Sequence, residues 1–129
     1  MAENKRYTIN MTNYPKVFRD TPFWNDFQSY LGKKEGRTIN FNGRDMSRAE
    51  YNIIVSKRDI ALWTGNGGQS RGMKPHRFWK VSSIKNYFGV SGNAKNLYNS
   101  FNALFEEFMS LIEELKKASK SQKEIFITN

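Results

Sequence analysis

Between Ala94 and Lys117, large apolar residues recur in alternating steps of four and three: Leu97, Phe101, Leu104, Phe108, Leu111 and Leu115. Only a helix brings such positions onto one face. Phe105, Met109 and Ile112 widen the stripe, while Glu106, Glu107, Glu113 and Glu114 fall off it and are expected to be solvated. At about 1.5 Å per residue the helix is roughly 35 Å long. A face of this length needs a partner: either the rest of the chain as a core, or a second copy through a heptad seam.

The other segments can supply that core. Thr21-Pro22 reads as an N-cap followed by proline at the first helical position, with Phe23, Trp24, Phe27, Tyr30 and Leu31 following and Gly32 as a stop. That helix is too short to stand alone, so its rings are expected in the core rather than exposed as a stacking platform. Ser47-Arg48-Ala49-Glu50 fits a capping box, and 48–63 reads as a largely buried helix closed by Thr64-Gly65. The rival for this segment is a hairpin, because Tyr51, Ile53, Val55 and then Ile60, Leu62, Thr64 also alternate. Short strand signals lie at Arg6–Met11 and Arg37–Asn42, which could be neighbours, and at Glu124–Thr128, expected to add an edge. Residues 1–5 and 118–123 are polar and expected to be flexible. The expected fold is α+β, mainly helical: a single compact domain with a short two- or three-stranded sheet and a long C-terminal helix.

Composition narrows the function. The chain has 129 residues, the size of one ordinary domain, and aromatics make up 15% of it. It contains no Cys and one His, His76, which excludes disulfides, Cys-ligated zinc, thiol catalysis and a His-rich metal site within one chain. No apolar run approaches the ~20 residues needed to span a bilayer, and Met1–Lys16 lacks a secretory h-region. A soluble, cytoplasmic protein without membrane contact is expected. Asp20, Asp26, Asp45, Glu50 and Asp59 are scattered, and no sequence neighbour orients His76 as a base, so neither an enzyme nor a cofactor is expected. A nuclease remains conceivable only through tertiary clustering of those carboxylates.

The charge points to a polyanion. The formal net charge is +9, and from Ile60 to Phe105 there is no Asp or Glu. Within that window Arg71, Lys74, Arg77 and Lys80 recur every three residues, interleaved with His76, Phe78 and Trp79, and Lys85 and Lys95 follow. Such cations neutralise phosphates, and an exposed ring stacks on an unpaired base. The preceding GNGGQSRG stretch, residues 65–72, reads as a flexible surface loop. It lacks the Gly-Lys-Ser/Thr of a P-loop.

Downstream, Ser82 or Ser83 is expected to cap a short helix carrying Ile84, Tyr87 and Phe88. Gly89 ends it, Val90 points inward, Gly92 bends the chain again, and Asn93 caps the long helix. The pattern Val81, Ile84, Lys85, Phe88, Gly89, Val90, Gly92, Lys95, Leu97 resembles the SAP-type helix-extension-helix motif, a small DNA-binding module. The resemblance covers residues 81–101, with a shorter extension and a longer second helix than the family shows. It implies that Lys85, Gly92 and Lys95 lie near a DNA backbone. The same residues also read as a plain helical turn.

The reading is a non-enzymatic nucleic-acid-binding protein, for DNA or RNA, that uses the 71–95 surface: Arg71, Lys74, His76, Arg77, Trp79, Lys80, Lys85 and Lys95. The alternative is an interaction or assembly protein, such as a small viral or accessory factor, that binds an acidic protein or forms a homodimer through the long helix.

Overall fold

The computed structural model describes residues 6–31, 38–39, 46–120 and 124–128. The expected fraying of 1–5, the Gly32 stop, most of the 37–42 strand and Asp45 lie outside the described residues, as do residues 121–123. In chain order the elements are β1 (Arg6–Asn10), α1 (Pro22–Leu31), β2 (Thr38–Ile39), α2 (Arg48–Gly68), α3 (Val81–Phe88), α4 (Ala94–Lys120) and β3 (Glu124–Thr128).

The long stripe is the core. Leu97, Phe101, Leu104, Phe108, Leu111 and Leu115 are all buried in α4. The chain's own elements cover this face. The helix runs to Lys120 with Ala118 buried, beyond the expected stop at Lys117. Facing it, Phe23 and Phe27 of α1 meet Phe108 edge-on at 4.9 and 5.0 Å between ring centroids, and Phe88 of α3 meets Phe101 at 5.0 Å. Each such pair adds about 0.5–1.5 kcal/mol beyond its buried area. The α1 cap forms as its sequence implies: the Trp24 N–H donates to Thr21 Oγ1 at 3.1 Å.

The 48–63 segment is helix, not hairpin. Ser47 caps it, accepting from the Glu50 N–H at 3.0 Å. It is not buried on most sides, however. Ala49, Ile53, Ser56, Ile60 and Thr64 form one buried stripe, while Tyr51, Ile54 and Leu62 are exposed. The small Ala49 and Ser56 on the inner stripe let α2 lie close against its partners, chiefly α4. The apolar residues left over therefore face outward.

The strands form one sheet in the order β1-β3-β2. β1 pairs with β3 in parallel, Arg6 opposite Glu124 through Asn10 opposite Thr128, and β2 pairs antiparallel to β3. The C-terminal strand is thus central, not an edge, and β1 and β2 are not neighbours. β1 stops at Asn10, one residue short of the expected strand, because Met11–Asn13 turn into a 3-10 helix. The loop after it is held by glutamates expected in solvent. Glu107 accepts from the Lys16 and Val17 N–H groups at 2.6 and 2.7 Å, and Glu114 accepts from the Tyr14 hydroxyl.

Candidate nucleic-acid interface

The basic strip is held in place at its beginning. The regular helix of α2 ends where Gly65, Asn66 and Gly67 all take left-handed backbone angles. The Ser70 N–H returns to Gly65 O at 2.8 Å and the Met73 N–H to Leu62 O at 3.0 Å. Thr64 Oγ1 accepts from the Gly67 N–H at 3.1 Å. A Cβ on Gly72 would sit 2.0 Å from Trp63 O, so only glycine fits that crossing. The 65–72 stretch is therefore a compact knot against the end of α2, not the loose loop its glycines suggest.

From this knot the chain carries the cations into solvent. Arg71, Lys74, His76, Arg77 and Lys80 are exposed, Lys85 is half-buried on α3, and Lys95 is exposed on the first turn of α4. Among the described residues no ion pair engages any of these lysines or arginines; Arg58, on α2, pairs with Asp59 at 3.6 Å. Asp26 accepts from the Tyr87 hydroxyl at 2.6 Å, and Asn52 Nδ2 donates to the same hydroxyl at 3.2 Å. Burial and that bond to Asp26 push the Tyr87 hydroxyl up to about 12. Within the strip, Lys74 Nζ donates to Arg77 O at 3.2 Å, the Phe78 N–H donates to His76 Nδ1 at 3.3 Å, and the Arg77 guanidinium lies 5.1 Å from the Phe78 ring centre.

One of the expected site residues is turned inward. Trp79 is 7% exposed and packs on Trp63 at 5.8 Å, so it anchors the strip instead of offering a stacking face. Its indole Nε1 is buried with no hydrogen-bond partner among the described residues. Phe78, 75% exposed, is the ring presented to solvent. Adjacent aromatics in an irregular segment carry no periodicity that tells which one turns inward.

At the far end of the strip, α3 begins at Val81 with Lys80 as N-cap and no side-chain cap bond, so Ser82 and Ser83 lie inside its first turn. Gly89 closes α3 in the left-handed conformation and Val90 is buried below the turn. Asn93 caps α4, accepting from the Asn96 N–H at 3.0 Å. A cavity of about 250 Å³ beside this turn is lined by Lys16, Arg19, Ser91 and Ser100. Lys16 and Arg19 lie outside the acid-free window, so neither charge spacing nor composition singled them out. Among the described residues no group of three or more His, Asp or Glu is placed to hold a metal ion, and no helix is long and apolar enough to cross a membrane. Comparisons with protein-family models, curated proteins and solved structures find no match to this chain.

Proposed function

We propose that this protein is a non-enzymatic nucleic-acid-binding protein that contacts phosphates through its 71–95 surface. The observation that carries this reading is the set of exposed cations that have no ion pair among the described residues and project from a fixed backbone: Arg71, Lys74, Arg77 and Lys80 on the strip, and Lys95 beyond it. Cations without carboxylate partners keep their full charge for a polyanion, and phosphate contacts release condensed counterions. The anchored knot and the buried Trp79 support the same reading, since the side chains extend from a surface already ordered before binding. The helix-turn-helix of α3 and α4 extends the surface to Lys85 and Lys95, the positions at which the SAP-type resemblance puts a DNA backbone. A cytoplasmic location belongs to this proposal.

The test is a salt titration of binding to DNA and RNA oligonucleotides. Affinity is expected to fall steeply as salt rises; absence of binding even at low salt overturns the reading. A second reading has its own support. Met73 and Phe78 are 62% and 75% exposed within the basic strip. Apolar side chains among cations also suit an acidic protein partner, in which case nucleic acid fails to bind while an acidic protein does.

A further inference from the structure

The outward apolar residues of α2 do not stand alone. Two hollows of about 360 and 400 Å³ lie along the helix, and they adjoin at Arg58, Ala61 and Asn66, which line both; together they make a trough with a waist at these residues. Each falls in the usual size range of ligand clefts, about 300–1,000 Å³. One end reaches Tyr98 and Phe105 of α4 beside Ile54; the other reaches Leu62 and Arg71. No carboxylate lines either hollow. Lys57 lies 4.7 Å from the centre of the Phe105 ring, and Asn66, at the waist, holds a left-handed backbone of φ 56°.

The lining combines two chemistries. Lys57 and Arg71 suit phosphates, while Arg58 is paired with Asp59. The apolar floor and the amides of Asn66 and Asn102 suit the faces and edges of nucleobases, which phosphates do not present. A duplex keeps its base faces inside the stack and would leave this floor unmatched. Arg71 belongs to both the trough and the basic strip, so a strand whose phosphates follow the strip is led into the trough. Resting on the phosphate-binding reading above, we infer that the trough along α2, bounded by α4 at one end, seats unpaired bases, making single-stranded nucleic acid the ligand.

The experiment measures fluorescence anisotropy of the full chain with a labelled single strand and with its annealed duplex at one salt concentration. Two variants accompany the wild type. Ala61→Leu fills the waist of the trough without changing charge, and Asn66→Gly keeps the left-handed backbone while removing the amide. Circular dichroism verifies that each folds, and either folded variant suffices. The single strand is expected to bind roughly tenfold or more tightly than the duplex, with the variants losing a similar factor for the single strand only. Equal or tighter duplex binding, or variants that bind as the wild type does, overturns the trough and leaves the phosphate reading standing. Competition by polyglutamate as effective as by the unlabelled single strand also overturns the trough, because charge alone then suffices. Failure of both nucleic acids to bind at low salt removes the phosphate reading and the trough with it.

Discussion

Gly72 shows how a single hydrogen atom can fix a surface. A methyl group there meets Trp63 O at 2.0 Å, and Trp63 in turn supports Trp79. Gly72→Ala is therefore expected to cost about 1–3 kcal/mol through overpacking, read as a lower urea midpoint. Glu50 gives a pH-dependent counterpart. Burial raises its pKa above the ordinary carboxylate value, and Lys116 only partly opposes this. The folded state thus holds that proton more tightly than the unfolded state. The group's favourable contribution is present at low pH and is lost as pH rises through the raised value. Glu50→Gln should stabilise the protein at neutral pH, with the gain fading as pH falls through the carboxylate range; thermal melts across pH test this. Neither residue declares its role in the sequence. Gly72 looks like one glycine among several in a loop, and Glu50 looks like an ordinary capping-box residue.

At the scale of elements, legibility tracked how local the determining physics is. The α4 stripe, the Thr21 cap of α1 and the Gly89 stop of α3 are written in neighbouring residues, and each forms as the sequence implies. The sheet order is not local. β3 enters between β1 and β2 although it comes last in the chain, and strand propensity says nothing about who pairs with whom. The exposed face of α2 was hidden for a related reason: Ile54 and Leu62 match the apolar pattern as well as Ile53 and Ile60 do, and only the placement of α4 decides which stripe is buried. Two predictions belong here. Phe108→Ala removes the ring that joins α1 to α4 and should cost about 3–5 kcal/mol in chemical denaturation. Glu107→Ala leaves the Lys16 and Val17 N–H groups without their carboxylate and should cost about 1–3 kcal/mol by the same measurement.

For the molecule as a whole, the helices cover the α4 face and leave charge and apolar residues concentrated on the outer side of α2 and on the strip that follows it. The charge of that strip was legible as the acid-free window. Its exposed ring and its continuity with the trough were not, because they depend on which side of the knot each residue leaves. The most direct measurement is the slope of log affinity against log salt for wild type and for the triple substitution Arg71→Gln, Arg77→Gln, Lys80→Gln. If these side chains neutralise phosphates, the triple variant binds more weakly and its slope is shallower by roughly 2–3, one counterion step per lost contact. An unchanged slope and affinity, or no binding by the wild type at low salt, would contradict the account.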